Sequence, residues 1–238
     1  MRAATVILVG SALLLCGCAD RVPPPTEPPP LPAVPCWSQA DDVLFTTCLR
    51  TELDEVWSAR FDATARGYTS PRLTVGNVPG PGNVPGPGTG HGSEAHPDRA
   101  YFNSRTGIHL PTGYLDDVRA AHGARAHVVL SFTMAHEVGH HVQHLLHSGT
   151  RAPIVDVENQ ADCYAGVWAR RVAVAGALDT EEFRAAAAAE LRRLSADPDE
   201  VRTHSGADQR VASLDQGLRS GDPSACDVGG LTWRPAAG

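Results

Sequence analysis

The chain has 238 residues, a formal net charge of −7 and an apolar content of 42%. This length allows one domain with tails. The acidic balance argues against a nucleic-acid partner, because such a partner requires a basic surface. No apolar run reaches the roughly 18 residues that a membrane-spanning helix needs, which argues against a polytopic membrane protein.

The first residues have the layout of an export signal. Arg2 supplies a positive charge, an apolar stretch covers 6–15, and Leu15-Cys16-Gly17-Cys18 closes the segment. This order of regions is typical of a secretory signal peptide, and its last four residues resemble a bacterial lipobox. We therefore predict a lipoprotein signal peptide at 1–17. The alternative is a plain signal peptide that is cleaved nearby.

On the lipobox resemblance, Cys18 is lipidated and becomes the new N-terminus of the protein. Two or three acyl chains such as palmitate suffice for stable membrane attachment. We therefore expect the protein in the bacterial cell envelope, anchored to the membrane with its domain outside the cytoplasm.

Two segments have too much Pro and Gly for regular secondary structure. The first, at 18–35, has eight prolines between 19 and 35, which favours an extended polyproline conformation and predicts a semi-rigid stalk. The second, at 76–92, contains the sequence NVPGPG twice, at 77–82 and at 83–88. Two copies are too few for a solenoid, so this stretch predicts a mobile loop.

The rest of the chain, 36–238, is predicted to form one α+β domain that is mostly helical and has a small sheet. Apolar residues recur every three or four positions in 38–67, with Gly67 as the predicted C-cap. Short strands are expected at 71–75 and around a turn in 99–110. Further helices are predicted at 124–147, 156–177, 180–194 and 207–218.

One motif has direct chemical meaning. His136-Glu137-Val138-Gly139-His140 is an HExxH sequence within a predicted helix. Residues four apart share a helix face, so both imidazoles can reach one cation. Glu137 lies beside them, where it can act as the base for a water molecule. The motif predicts a zinc site, either catalytic or structural.

Zinc needs a third protein ligand, and the next predicted helix offers Glu158 and Asp162, again four residues apart. Glu158 would complete a set of two histidines and one glutamate. Asp162 would then accept a hydrogen bond from the far nitrogen of a ligand histidine, His136 being the first choice. Asp156 is the nearest competitor as ligand, and a solvated acidic helix start is the non-functional alternative.

Three segments together resemble the successive motifs of the bacterial "putative neutral zinc metallopeptidase" family. They are AHEVGHHVQ at 135–143, ENQADCYAGVWA at 158–169 and THSGADQR at 203–210. That family in turn resembles the gluzincins. The resemblance implies a zincin-like fold that binds one Zn²⁺ through His136, His140 and Glu158. It implies that Glu137 is the catalytic base, and it makes His204 a candidate to stabilise the oxyanion.

Four cysteines remain beyond Cys18, and an even number in an exported protein predicts disulfides with three possible connectivities. The family resemblance pairs Cys163 with Cys226, and Cys36–Cys48 then follows by exclusion. Free thiols and Cys163 as a zinc ligand are the alternatives.

Taken together, the sequence predicts a lipid-anchored zinc peptidase that hydrolyses envelope peptides or proteins. The rival hypothesis is a non-catalytic envelope binding lipoprotein with a structural zinc site.

Overall fold

The computed structural model describes residues 36–62, 67–76, 99–147, 150–196 and 205–233. The predicted stalk, Cys18, the NVPGPG repeat and His204 lie outside the described residues. Within them the chain forms α-helices and a small sheet, which confirms the predicted α+β class. The helices are α1 (Asp42–Phe61), α2 (Thr112–His122), α3 (Ala126–His147), α4 (Ile154–Val174), α5 (Thr180–Leu194) and α6 (Ala207–Ser220).

The sheet has three short strands in the order β1-β3-β2. They are β1 (Leu73–Val75), β2 (Tyr101–Asn103) and β3 (Gly107–Leu110). The central strand β3 pairs in parallel with β1 and antiparallel with β2. Gly107, at the start of β3, has φ +98°, and a side chain there would collide with the backbone of Arg72. The turn between β2 and β3 therefore requires glycine.

Helices α3 and α4 form the centre of the molecule. Both are buried along almost their whole length, which is unusual because a surface helix hides only one face. The other helices and the sheet pack apolar side chains around them. Among the largest buried side chains are Trp57, Phe45 and Phe61 of α1 and Trp168 and Tyr164 of α4. Polar side chains on α3 and α4 are therefore buried, which is costly unless they form hydrogen bonds or bind a metal.

Helix α6 packs very closely against α4. Gly166 of α4 and Gly217 of α6 face each other, and a Cβ on Gly217 would collide with the carbonyl of Cys163. A Cβ on Gly166 would likewise collide with the carbonyl of Leu214. The two backbones can approach this closely only because both positions lack a side chain.

The described residues contain two disulfides, Cys36–Cys48 and Cys163–Cys226. The first joins a short 3-10 turn at Cys36–Ser38 to α1, and the second joins α4 to a 3-10 turn at Pro223–Cys226. Both predicted pairs are therefore found. Cys163 is consequently not available as a free thiolate ligand.

Helix α1 ends earlier than the sequence predicts. Asp62 is its C-cap, five residues before Gly67. At its other end the side chain of Asp41 accepts a hydrogen bond from the backbone of Leu44 at 3.0 Å and caps the helix. Across the described ranges, no helix is both long and apolar enough to span a membrane.

Candidate metal centre

The site forms where α3 and α4 cross. Gly139 of α3 lies between the two motif histidines, and a Cβ built on it would be only 3.0 Å from the carbonyl oxygen of Ala161 on α4. A larger residue would hold the helices apart. The glycine of the motif thus allows α4 to bring Glu158 to His136 and His140.

Three donor atoms converge at this crossing. The Nε2 atoms of His136 and His140 lie 3.0 Å apart. Oxygens of Glu158 lie 3.3 Å from Nε2 of His136 and 3.4 Å from Nε2 of His140. Two imidazole nitrogens and a carboxylate are a donor set suited to zinc, and such a set leaves a further coordination position open. Within the described ranges, this trio is the one group of three metal-ligating side chains that lies close enough to share an ion.

The far nitrogen of each histidine also has a partner. Nδ1 of His136 is 2.9 Å from Oδ1 of Asp162, as the sequence predicts. Nδ1 of His140 is 2.9 Å from the amide oxygen of Gln143. Each acceptor requires a proton on Nδ1, so in the neutral form of each imidazole the lone pair is on Nε2 and is directed at the site.

Arg210 completes the charged part of the site from α6. Its Nε donates to Oδ2 of Asp162 at 2.7 Å and its Nη2 donates to Oδ1 at 3.0 Å. The same Nη2 lies 3.8 Å from Glu158. The side chain is only 4% exposed. Arg210 therefore fixes the plane of the Asp162 carboxylate, which in turn orients His136.

The two histidines differ in their electrostatic surroundings. Burial alone would lower the pKa of His136, but Asp162 and Glu158 outweigh it and raise that pKa to about 10. Burial lowers the pKa of His140 to about 4, against the opposing charge of Glu158.

The two acids of α4 are held ionised. Burial would raise the pKa of Glu158, but the histidines and Arg210 hold it well below its ordinary value. The pKa of Asp162 is also lowered, since Arg210 and His136 outweigh its burial. An ionised carboxylate is the form that a metal ligand requires.

Glu137 is buried directly beside the histidines. Burial would lower the pKa of Arg210, but Asp162, Glu158 and, to a smaller extent, Glu137 raise it. Burial raises the pKa of Tyr114 on α2, and Glu137 adds to that rise. The hydroxyl of Tyr114 is 2.6 Å from Thr133, one turn before Glu137 on α3. Glu137 therefore adds a third carboxylate to the site and does not belong to the converging trio.

The structure brings together His136, His140, Glu158 and Asp162, while His204 lies outside the described residues. No role was predicted from the sequence for Arg210, Gln143 or Gln160. Two of the three segments that carry the family resemblance end at Gln143 and Arg210. Their place in those segments is the one sequence feature that could have marked them as functional. Nothing in the local spacing of Gln160 marks it.

Two helices that present a histidine pair and a glutamate, with an acid behind one histidine, define a candidate metal site. In agreement with this, the family model described as "Putative neutral zinc metallopeptidase" matches residues 32–228. The chain belongs to that family.

Relatives of the chain include "Uncharacterized protein YpfJ" of Escherichia coli, which is 28% identical over 211 residues. That match covers 78% of this chain and 71% of the relative. "Uncharacterized protein Rv2575" of Mycobacterium tuberculosis is 33% identical over 125 residues, covering 41% of this chain and 43% of that protein. No solved structure matches the chain.

Proposed function

We propose that the protein is a zinc-dependent peptidase, anchored by a lipid on Cys18, that hydrolyses peptides or proteins of the bacterial cell envelope. The observation that carries this proposal is the convergence of His136, His140 and Glu158 around one point, with the buried acid Glu137 next to His136 in the chain. A structural zinc site has no use for such a base, so its presence favours catalysis over the rival binding protein.

The residues present fit the metal. Once His136, whose pKa is raised to about 10 without metal, gives up its second proton, both Nε2 atoms offer a lone pair to the ion. Glu158 is ionised, and the three donors lie within 4.8 Å of one another. A zinc ion in this position would polarise the peptide carbonyl and lower the pKa of a water molecule towards about 7.

The protein's own residues then supply proton transfer and orientation. Glu137 accepts the proton of the attacking water and passes it to the leaving amine. Asp162 and Gln143 keep the imidazoles in the required tautomer. Arg210 keeps Asp162 ionised and correctly turned throughout.

We further propose that His204 stabilises the oxyanion of the tetrahedral intermediate. Its neighbours in the chain support this role. The hydroxyl of Ser205 lies 3.2 Å from Asn159, which follows Glu158 directly, and Arg210 contacts both acids of the site.

Glu137→Gln tests the proposal. We expect this variant to bind one equivalent of zinc and to unfold at the parent's temperature, but to lose cleavage of a broad peptide library by at least about 100-fold, because general-base catalysis contributes that much. Metal analysis and mass spectrometry of the digest provide both readouts. If the variant cleaves like the parent, Glu137 is not the base. If the parent itself binds zinc but cleaves nothing, the rival binding protein is favoured.

A further inference from the structure

The amide of Gln143 is the partner of His140, and it is itself fully bonded. It lies one turn after His140 on α3 and is buried. Its oxygen faces Nδ1 of His140 at 2.9 Å. Its nitrogen donates to the carbonyl of Val157 at 2.7 Å and to the amide oxygen of Gln160 at 3.1 Å.

Gln160 of α4 continues the chain of amides. It is only 1% exposed. Its nitrogen donates to the carbonyl of Cys226 at 3.2 Å and to that of Leu231 at 3.1 Å. The side-chain oxygen of Gln160 therefore faces Gln143, and both amide protons of each glutamine have an acceptor.

The carbonyls of Cys226 and Leu231 fix the direction of every hydrogen bond in this series of amides. The carbonyls of Cys226 and Leu231 can only accept, so they orient the NH₂ group of Gln160. The oxygen of Gln160 then orients the NH₂ group of Gln143, which Val157 also requires. The oxygen of Gln143 consequently needs a proton on Nδ1 of His140. The Nε2 lone pair that faces the metal position is the result.

The two terminal carbonyls belong to one segment, which we define as the C-terminal segment, Pro223–Trp233. The disulfide Cys163–Cys226 joins it to α4 three residues after Gln160. Val228 and Leu231 pair with each other across a turn, and Trp233 packs against Trp57. The acceptors of Gln160 are thus held in place by a covalent bond and by the core.

We propose that Gln143 and Gln160 are positioning residues that transmit the placement of the C-terminal segment to His140 and set its tautomer before metal binds. This inference rests on the proposed zinc site. The inference extends the proposed site, because the affinity for zinc then depends on residues that contact neither the ion nor the substrate.

The test measures zinc affinity of the metal-free full-length chain by competition with a chromophoric chelator. Gln143→Met keeps the length of the side chain but loses the acceptor, and we expect zinc binding to weaken about 10–100-fold, as changes behind a metal ligand typically do. Gln143→Glu still accepts the Nδ1 proton but cannot donate to Val157 and Gln160, so it should regain only part of that loss. The Co²⁺ visible spectrum should change in Gln143→Met and resemble the parent's in Gln143→Glu.

A second pair of variants tests the link to the C-terminal segment. Gln160→Met removes both bonds to that segment, and we expect a several-fold loss of zinc affinity. Gln216→Met is the matched control, because Gln216 is exposed and donates to Ala225 of the same segment without touching the amide chain. It should bind zinc like the parent.

One measurement needs no variant and therefore does not depend on whether a variant folds. In the metal-free parent at pH 7, long-range ¹H–¹⁵N spectra should show the His140 proton on Nδ1. Any other protonation pattern overturns the proposal, as does parent-like zinc affinity in Gln143→Met. If the parent binds no zinc, the proposed function fails together with this inference. If the parent binds zinc but Gln143→Met binds it equally well, only this inference fails.

Discussion

Among the described residues, three buried acids, Asp162, Glu158 and Glu137, outweigh burial and raise the pKa of one buried guanidinium, that of Arg210. In the metal-binding form, in which both histidines are neutral, these described groups carry a formal charge of −2. Such an imbalance is costly away from water. A divalent cation would cancel it, so the charges of the site, and not only its donor geometry, favour a dication.

The third ligand provides the sharpest test at the residue scale. Glu158→Ala should lose zinc and activity together, because it removes a donor atom and one of the balancing charges. Asp156→Ala is the matched control, since Asp156 opens the same helix but lies outside the converging trio. It should retain both properties.

Asp162→Asn should lie between these variants, with affinity or rate reduced about 10–100-fold. Zinc titration of the three purified variants measures the affinity, and peptide cleavage measures the rate. Parent-like affinity in Glu158→Ala would remove Glu158 from the site.

The residues that could be predicted are those whose role depends on local spacing. His136 with His140, and Glu158 with Asp162, lie four apart on one helix face, and that pattern is visible in the sequence. Arg210 reaches Asp162 across 48 positions of chain. No periodicity encodes such a contact, because it depends on how α6 packs against α4.

At the scale of elements, the position of Arg210 depends on the glycine contact between α4 and α6. Gly217→Ala should force the helices apart, and overpacking of this kind typically costs about 1–3 kcal/mol of stability. It should also weaken zinc binding, because Arg210 moves with α6. Thermal unfolding and chelator competition measure the two effects.

Gly206→Ser is the control on the same helix. Gly206 is the exposed N-cap of α6 and has open space around it, and serine is a favourable cap. If Gly217→Ala bound zinc as tightly as this control, zinc affinity would not depend on the close contact between α4 and α6.

Helix α1 contains a buried acid that should make stability depend on pH. Glu52 is 2% exposed, and its Oε1 has no hydrogen-bond partner in the part of the chain that the structure describes. Burial, followed by the charge of Glu55, raises the pKa of Glu52 from 4.5 to about 7. The folded state therefore binds more protons between these pH values, so stability falls as pH rises through this window and then levels off.

Glu52→Gln should remove this effect. We expect no change at pH 4 and a gain of up to about 3 kcal/mol at pH 8, the equivalent of the pKa shift. Urea unfolding at both pH values measures it, with the exposed Glu181→Gln as control. An equal effect at pH 4 and pH 8 would show that Glu52 does not titrate as stated.

The elements differed in how well they could be predicted. Helix α5 is found at the predicted 180–194, because Asp179 caps it and acids occupy its first turn. Helix α2 was not predicted. It follows Pro111 without a side-chain cap and buries only Tyr114, Leu115 and Val118. Its short apolar face gave too weak a periodic signal.

For the whole molecule, Cys163–Cys226 is the disulfide with the larger effect expected on stability. It spans 63 positions, whereas Cys36–Cys48 spans 12. In the chain-entropy estimate the longer loop contributes about 4 kcal/mol and the shorter about 3 kcal/mol. The bond that holds the C-terminal segment therefore stabilises the fold as well as the site.

The proposed membrane anchor is tested by Cys18→Ser. We expect this variant to be released from membranes or to keep its signal peptide, because the acyl chains have no attachment site. Cys16→Ser is the matched control and should remain anchored. Membrane fractionation and mass spectrometry of the N-terminus measure both, and a mature N-terminus beyond residue 18 without lipid would reject lipidation.

The acceptors of Gln160 lie 66 and 71 positions after it in the chain. A ribosome makes the motif helix and α4 well before it makes these carbonyls, so a growing chain holds all three metal donors but lacks the groups that orient one of them. We expect tight zinc binding only once synthesis has passed Leu231. Such an order would keep the metal site weak until the C-terminal segment has folded onto α4.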